Sequence, residues 1–364
     1  MRNIFIHTGF IFFAVMQLLA CRKDDIDPPL DRTSIPRTIG QFIQNNYNFS
    51  LLKTALVKTG LMDSLNAPNA GTFFAPDNHA FNISGIFDAA AFDRMNVDSL
   101  RMELLSYMLP QRYFVAEFPA QMGNALQTKS GRTMYLSVSP AVAYNGPEHT
   151  EFTINGVPVS NTLGINRNVG LVNGVVHVPM RLMKFRDGTV QDLLAANSNL
   201  SIFTEAMKRF NFWEGLKNNN PITVFAPSNE AFERLGITLD SVSRMGSDQF
   251  DPIVFGFYHF NLSPKRIFTS DGWLIGGTLY REQGIRVGAY SFVPNYNYSY
   301  YNKEENWEIV ITKEVGSGSW QENTEGPAYS TYDGGAMPSA DYLTKNGVVH
   351  IINDVLLLPG FFKK

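Results

Sequence analysis

Apolar residues return at the spacing of one helix face in two separate parts of the chain. In the first part these residues are Phe49, Leu52, Ala55 and Leu56. In the second part they are Leu200, Phe203, Ala206 and Met207, each 151 positions after its counterpart. Because residues three and four apart lie on the same side of a helix, both segments are predicted to be helices that cover a core.

A short β-favouring run follows each predicted helix. The runs are Thr72-Phe73-Phe74 and Thr223-Val224-Phe225, and an Ala-Pro pair ends both of them. Proline has no backbone donor and restricts the residue before it, so each strand is expected to stop there. Asp77 and Ser228 come next, where a helix N-cap is needed, and an Ala-Phe pair then turns an apolar face back to the sheet.

These two motifs, FAPDNHAF and FAPSNEAF, belong to a longer repeat. The offset of 151 holds without a gap from Thr38 to Tyr107 of the first copy. Each copy ends in Asn-Gly-Val-Val-His, which starts at Asn173 and again at Asn346. The offset there is 173, so the second copy carries additional residues before its last strand. A gapless match of this length indicates a duplicated domain.

The repeated motif offers structural roles and no catalytic constellation. It contains no nucleophile with an adjacent base and no ligand cluster, so it is predicted to be a structural strand–turn–helix corner that occurs once in each copy. His177 and His350 lie in apolar strands, where a lone histidine is predicted to be a hydrogen-bonded core residue. The six histidines lack a short ligand spacing, so neither a metal site nor another cofactor is expected.

The paired motifs, the Tyr258-His259 pair and the two closing strands resemble the fasciclin domain family. The resemblance covers nearly all of Thr38 to Pro359 as two tandem copies. It implies an α+β fold in which each copy is a wedge of β-sheets flanked by helices. It also implies adhesion or ligand binding outside the cell without catalysis, so no enzyme activity is expected. The predicted domains are residues 37–186 and 187–364, the second with an aromatic insertion at about 290–340.

The connection between the copies is predicted to be short. The first copy's last strand is expected to end near Phe185, and the second copy's first helix is expected to begin near Thr189. The three residues between them, Arg186, Asp187 and Gly188, are too few for a flexible tether. The copies are therefore expected to hold a restricted mutual orientation.

The N-terminal segment has the pattern of an export signal. The apolar stretch Phe10 to Ala20 is too short to be a convincing membrane span and ends at Cys21, the only cysteine. Leu-Leu-Ala-Cys resembles a bacterial lipobox, in which cleavage precedes the cysteine and lipid is attached to its sulfur; an ordinary secretory peptide is the alternative. Residues 1–20 are thus predicted to be a lipoprotein signal peptide, and residues 21–36 a lipidated tether.

Lys23, Asp24 and Asp25 follow the predicted lipidation site. They resemble the export signal of Bacteroidota-type lipoproteins, which implies a protein lipid-anchored in the outer membrane and exposed on the cell surface. A solvated charged tether is the alternative interpretation. The net charge of −3 and the pI of about 6.1, without a basic stripe, exclude nucleic acid as an expected partner.

The additional residues of the second copy are rich in Tyr and Trp among Gly, Asn, Ser and Pro. Trp307 to Val315 alternates and is predicted to be a strand, with aromatic loops on both sides. Because aromatic rings in loops offer flat, amphipathic contact area, they are the candidates for ligand binding. The candidate residues are Tyr296, Tyr298, Tyr300, Trp307 and Trp320. The alternative is that these rings cover the core of the second copy.

Two classes of function follow from these patterns. The first is a non-catalytic surface lipoprotein that adheres to extracellular matrix, a glycan or a surface protein. The second is an accessory lipoprotein that captures a glycan or peptide for an outer-membrane transporter complex in nutrient uptake.

Overall fold

The structure is a computed structural model in which the described residues cover the first repeat more fully than the second. They are residues 36–139, 152–159, 167–218, 221–246, 248, 259–260, 266–271, 285–287, 290–299, 304–314, 320–322, 328–330, 340–353 and 355. Within this set, the strands at 259–260 and between 285 and 330 are described by their backbone and pairing alone. The residues singled out in the sequence that lie outside the described residues include Cys21, Lys23, Asp24, Asp25, Tyr258 and Tyr300.

Five α-helices lie in the described part of the first repeat. They are α1 (Ile39–Gln44), α2 (Ser50–Lys58), α3 (Met62–Asn66), α4 (Asn78–Ile83) and α5 (Val97–Leu105). Short 3₁₀ helices occupy Tyr47–Phe49, Ala89–Arg94 and Val115–Glu117. All four apolar residues that predict the first helix face are buried, so the predicted core side of this segment is confirmed.

The described part of the first repeat contains eight strands, which form two sheets. The strands are β1 (Gly71–Phe74), β2 (Met108–Leu109), β3 (Asn124–Gln127), β4 (Thr133–Val138), β5 (Phe152–Ile154), β6 (Val157–Pro158), β7 (Val169–Leu171) and β8 (Gly174–His177). The strand orders are β2-β1-β8-β7 and β3-β4-β5-β6, and only β1 and β8 pair in parallel. The Phe152 ring lies 6.0 Å from Phe74, so the two sheets share one core.

The second repeat builds the same central sheet. After β9 (Lys184–Phe185), its helices are α6 (Val190–Ala196), α7 (Ser201–Arg209), α8 (Trp213–Asn218), α9 (Asn229–Glu233) and α10 (Leu239–Arg244), with a 3₁₀ helix at Ser198–Leu200. Its strands are β10 (Ile222–Pro227), β11 (His259–Phe260), β12 (Ile285–Val287), β13 (Tyr290–Ser299), β14 (Glu304–Glu314), β15 (Trp320–Glu322), β16 (Ala328–Ser330), β17 (Tyr342–Leu343) and β18 (Gly347–Ile352). The central sheet has the order β11-β10-β18-β17-β9, and β10 and β18 are parallel. A second sheet has the order β12-β13-β14-β15, with β16 paired to β14.

The strand register confirms the duplication. Phe73 lies opposite Met108 in the first repeat, and Val224 lies opposite His259 in the second, with both residues shifted by 151. The four apolar residues that predict the second helix face are also buried. The two copies are therefore tandem α+β domains, as the sequence predicts.

The connection between the repeats has the predicted bounds, because a strand ends at Phe185 and the first helix of the second repeat begins at Val190 after its N-cap Thr189. The closing strand of the first repeat is interrupted after His177, because Pro179 follows two residues later and has no donor for the ladder. Lys184 and Phe185 form the separate strand β9, which pairs in parallel with β17 of the second repeat. The first repeat thus supplies the edge strand of the second repeat's sheet, and Thr38–Lys364 forms one compact unit.

Candidate functional site

The repeated motif carries the predicted N-caps. The Asp77 side chain accepts a hydrogen bond from the backbone N–H of Ala80 at 2.9 Å. The Ser228 hydroxyl accepts one from the N–H of Ala231 at 3.2 Å. Both therefore satisfy a free donor at the start of a helix, α4 and α9 respectively, which confirms the prediction for both copies.

The asparagine after each cap has a role that the sequence does not reveal. Asn78 accepts a hydrogen bond from the N–H of Leu51 and donates to the Tyr47 carbonyl and the Ser50 hydroxyl. Asn229 makes the same three bonds 151 positions later, with Ile202 N–H, the Ser198 carbonyl and the Ser201 hydroxyl. The motif therefore fixes the start of the preceding helix in both repeats, which is a structural role.

His177 and His350 are the core residues that the sequence predicts. Nδ1 of His177 accepts the backbone N–H of Asn168, and Nδ1 of His350 accepts the backbone N–H of Asp341. In both rings Nε2 therefore carries the proton. It donates to the carbonyl of Tyr113 in the case of His177 and to the carbonyl of Ile267 in the case of His350. Burial lowers the pKa of His177 to about 4 and also lowers the pKa of His350, so both rings are neutral at pH 7.

The aromatic insertion contains a strand where the sequence predicts a loop. Residues 290–299 form β13, which pairs antiparallel with the predicted strand, now bounded as β14 (Glu304–Glu314). Asn, Ser and Pro suggest a loop by composition, but the aromatic residues alternate with polar ones at a period of two, which is the strand signal. The Tyr-rich segment is thus a ten-residue arm of a β-hairpin.

The hairpin register brings three of the candidate residues to one face. Tyr296 lies directly opposite Trp307, and Tyr298 lies opposite Glu305. Residues directly opposite share a face, and residues two apart along a strand do so too, so Tyr296, Tyr298 and Trp307 fall on the same face. Trp320 lies opposite Glu314 and belongs to the other face. We refer to Tyr296, Tyr298 and Trp307 as the aromatic face.

A buried polar network joins the two repeats. Arg181 of the first repeat forms an ion pair with Asp341 of the second at 3.1 Å, and both side chains are at most 3% exposed. Asp341 also accepts the N–H and the hydroxyl of Thr269, and Arg181 donates to the carbonyl of Gly156. Because both charges are removed from water, loss of either partner would leave the other charge buried without its ionic partner and destabilise the fold.

The turn that receives Asp341 is set by its sequence. Asn155 and Gly156 connect β5 and β6 with φ of 46° and 78°, the two positive values of a type I′ hairpin turn. A Cβ at position 156 would lie 2.6 Å from the carboxyl carbon of Asp341. Glycine is therefore required both by the turn and by the close approach of the second repeat.

A cleft opens beside this network, where the connection passes between the repeats. It has a volume of about 260 Å³, and we call it the junction cleft. Its lining residues are Gly131, Arg132, Thr133, Tyr135, Phe185, Arg186, Asp187, Leu343, Thr344 and Lys345. The lining comes from β4 and its preceding turn, from β9 with the connection, and from β17 with the turn that follows it.

The charges of the junction cleft are held in place by ion pairs and aromatic rings. Arg132 forms ion pairs with Glu103 and Asp187, each at 3.0 Å, and lies 5.2 Å from the centre of the Phe185 ring. Arg186 lies over Tyr342 at 5.2 Å. Burial raises the pKa of Glu103, and the pair with Arg132 opposes that shift. The cleft therefore presents fixed cations close to the boundary between the repeats.

The described residues lack two kinds of feature. Among them, no group of three or more His, Cys, Asp or Glu side chains is arranged to hold a metal ion. Of the helices in the described part of the chain, none has the length and apolar character to cross a bilayer.

Comparison with known proteins identifies relatives of both repeats. The fasciclin domain model matches residues 47–183 and 198–253. Periostin from Homo sapiens is 29% identical over 177 residues, which cover 48% of this chain and 19% of periostin. Transforming growth factor-beta-induced protein ig-h3 from Sus scrofa is 26% identical over 203 residues, 55% of this chain and 27% of that protein. A fasciclin-like arabinogalactan protein from Arthroderma benhamiae is 23% identical over 206 residues, 57% and 38% of the two chains.

A solved FAS1 domain pair from the insect cell adhesion molecule fasciclin I is similar over 85% of this chain and 96% of its own, with 16% identity and a TM-score of 0.33. The chain spans between 19% and 38% of the length of the three curated relatives. The family model, in contrast, matches more than half of this chain, with one match in each repeat. On this evidence the chain belongs to the fasciclin domain family.

Proposed function

We propose that the protein is a non-catalytic cell-surface lipoprotein whose two fasciclin domains act in adhesion or extracellular ligand binding. Family membership supports the adhesion or binding role. The hydrogen bonds of Asn78, Asn229, His177 and His350 support the absence of catalysis from the repeated elements, because their polar atoms hold the fold together. Anchoring in the outer membrane through Cys21, with Lys23, Asp24 and Asp25 as the surface-export signal, completes the proposal.

The aromatic face of the hairpin is the proposed contact surface for a glycan or a surface protein. The observation that carries this proposal is the register that places Tyr296 opposite Trp307, with Tyr298 two positions further along the same face. Cβ atoms of directly opposite residues lie roughly 5 Å apart in an antiparallel pair, so the three positions form one continuous patch. Aromatic rings suit the C–H faces of sugars and the apolar parts of proteins.

The same aromatic face would serve the second candidate function, in which the protein captures a glycan or peptide for an outer-membrane transporter complex. The two functions differ in whether they need a transporter, since capture requires one that takes over the ligand and adhesion does not. Deleting a transporter encoded beside this gene would abolish ligand uptake if capture is the function. Cell adhesion would remain unchanged by that deletion if adhesion is the function.

Alanine substitutions on the aromatic face test the proposed surface. Tyr296→Ala, Tyr298→Ala and Trp307→Ala are each expected to weaken retention of cells or immobilised glycans. Their unfolding free energies should change by about 0.5 kcal/mol or less, as for exposed positions. Trp320→Ala on the other face is the matched control and is expected to leave retention unchanged. Stability losses of about 3 to 5 kcal/mol at all three positions would show that these rings cover the core, which overturns the surface assignment.

The anchor has a separate test. Cys21→Ala is expected to yield an unlipidated precursor or a soluble protein released from the cell, because it removes the sulfur that would carry the lipid. Mass spectrometry of the mature N-terminus reads out both the cleavage site and the acyl mass. A mature N-terminus at another residue, without lipid, would refute the proposed anchoring while leaving the binding role open to its own test.

A further inference from the structure

We propose that the junction cleft binds a carboxylate-bearing saccharide, with one uronic acid unit of a glycan seated between the two repeats. The inference rests on the proposed role in extracellular ligand binding and assigns a second ligand site, separate from the aromatic face. It is carried by the charge, size and walls of the cleft.

The first argument is charge. Three cationic side chains, Arg132, Arg186 and Lys345, line the cleft together with one carboxylate, Asp187. Glu103 also pairs with Arg132, so three positive and two negative charges leave a surplus of one positive charge. The chain as a whole has a net charge of −3, so this local surplus of positive charge runs against the overall balance. Cations concentrated in a cleft attract an anion more strongly than the same charges on an open surface. Guanidinium groups also match the two oxygens of a carboxylate.

A second argument is that Asp187 already occupies one such position. Its Oδ1 accepts from Nη2 of Arg132 at 3.0 Å, although the Asp187 side chain is 84% exposed. An exposed carboxylate held on a guanidinium by one oxygen marks the place where a ligand carboxylate would bind, and it competes weakly because exposed ion pairs add little free energy. A ligand carboxylate would take the place of Asp187 on Nη2 of Arg132, while Nη1 keeps its bond to Glu103.

The size and walls of the cleft favour a sugar as the bearer of this carboxylate. A volume of about 260 Å³ is close to the lower limit of ligand pockets and fits one ring with its substituents. Phe185 and Leu343 are buried apolar residues of the lining, and the half-buried Tyr135 ring offers apolar surface to the C–H face of a sugar ring. The hydroxyl of Thr133 accepts a hydrogen bond from Gln127 and keeps its own proton to donate to a sugar hydroxyl.

The position of the cleft adds a consequence for stability. Arg132 belongs to the first repeat, Lys345 to the second, and Arg186 to the connection between them. A ligand that contacts all three binds only while the repeats are assembled. It should therefore raise the melting temperature of the whole chain as its concentration rises.

Calorimetric titration of the full-length mature protein with trigalacturonate tests the proposal. Saturable binding is expected, and the methyl-esterified trisaccharide, which lacks the charge, should bind at least tenfold more weakly. The double variant Arg186→Gln/Lys345→Gln should weaken trigalacturonate binding at least tenfold. Asp187→Asn removes the internal competitor and should strengthen binding several-fold. These opposite signs cannot both arise from loss of folding.

The matched control is the double variant Lys53→Gln/Arg94→Gln, which removes the same charge from exposed positions of the first repeat. It should leave binding unchanged. Equal weakening by both double variants, or no saturable binding by the unaltered protein, would overturn the cleft assignment. Loss of trigalacturonate binding in Tyr298→Ala but not in the cleft variants would also overturn it, while supporting the aromatic face and the proposed function.

Discussion

Asn168 of the first repeat and Asp341 of the second occupy equivalent positions, 173 residues apart, and both have φ near 60°. The backbone N–H of each residue donates to the core histidine of its own repeat. In addition, a side-chain oxygen of Asn168 accepts a hydrogen bond from the backbone N–H of Val115, and one of Asp341 accepts a hydrogen bond from the backbone N–H of Thr269. Asp341 has a second oxygen, and this one binds Arg181 from the other repeat. The comparison shows how a carboxylate oxygen in place of an amide nitrogen converts a local contact of a duplicated site into a junction between domains.

The variant Asp341→Asn removes this difference between the repeats and has the largest expected effect. The amide keeps one oxygen for the N–H of Thr269 but leaves Arg181 buried without its carboxylate. Loss of one partner of a buried ion pair costs about 3 to 5 kcal/mol of unfolding free energy. Urea denaturation of the variant and of the unaltered protein measures this loss.

Two variants control for the charge change at position 341. Asp240→Asn breaks the exposed pair with Arg244, where both side chains are more than two-thirds exposed, and should cost about 0.5 kcal/mol. Asp341→Asn combined with Arg181→Met removes both charges and should recover most of the loss. If Asp341→Asn costs no more than Asp240→Asn, Asp341 does not hold the repeats together.

Acid sensitivity tests the core histidine of the first repeat, His177. The pKa of His177 is lowered to about 4 in the folded chain, against about 6.5 in an unfolded one. The unfolded state therefore binds more protons below pH 6.5, and the stability from neutral His177 is complete above that pH and lost as the pH falls to about 4. The expected loss is about 3 kcal/mol.

His177→Gln should flatten this pH dependence because glutamine does not titrate in this range. The measurement is the unfolding free energy at pH 7 and at pH 4 for the variant and the unaltered chain. A slope that is the same for both proteins would show that His177 does not account for the acid sensitivity.

The paired asparagines test whether the two corners are energetically as well as geometrically equivalent. Asn78→Ala and Asn229→Ala each remove the same three hydrogen bonds and leave one helix-start N–H without its acceptor. Each is expected to cost about 2 kcal/mol. Thermal or urea unfolding measures both. A loss confined to one repeat would break the equivalence, and the other asparagine would then be dispensable for folding.

The N-caps provide the smallest expected effect. Asp77→Ala and Ser228→Ala each remove one side-chain acceptor at a helix start and should cost about 1 kcal/mol. Asp77 is the more favourable cap at low salt, since its negative charge also interacts with the helix dipole of α4. Raising the salt concentration should therefore shrink the cost at Asp77 and leave the cost at Ser228 unchanged. An equal salt dependence at Asp77 and Ser228 would show that the charge of Asp77 does not contribute to capping.

The local part of the fold could be predicted from the sequence because its signals are local. Helix faces follow from apolar spacing, and the caps follow from Asp77 and Ser228 standing just after a proline stop. The core role of His177 and His350 follows from their apolar surroundings. The expected loop at residues 290–299 is wrong because aromatic and polar residues alternate there at the period of a strand despite a loop-like composition, and even Pro294 lies in the ladder opposite Ile309.

The junction could not be predicted because its partners are distant in sequence. Arg181 and Asp341 are 160 residues apart, and a two-residue strand such as β9 leaves no periodic pattern. The sequence does contain two signals. Arg181 and Asp341 are each a charged residue among apolar or small residues, and the Asn155-Gly156 pair is typical of a two-residue hairpin turn. Each indicates a constrained site, and neither identifies the partner.

The pairing of β9 with β17 has a consequence for how the chain is made. The ribosome completes Phe185 well before Leu343, its partner in the sheet, and at 5 to 20 residues per second the interval is roughly 8 to 30 s. Leu343 and Val348 also belong to the core of the first repeat, which therefore stays incomplete while the second repeat is synthesised. A nascent first repeat exposes an unpaired strand and an open core for that interval, which makes it a substrate for chaperones that bind apolar surface and unpaired strand edges.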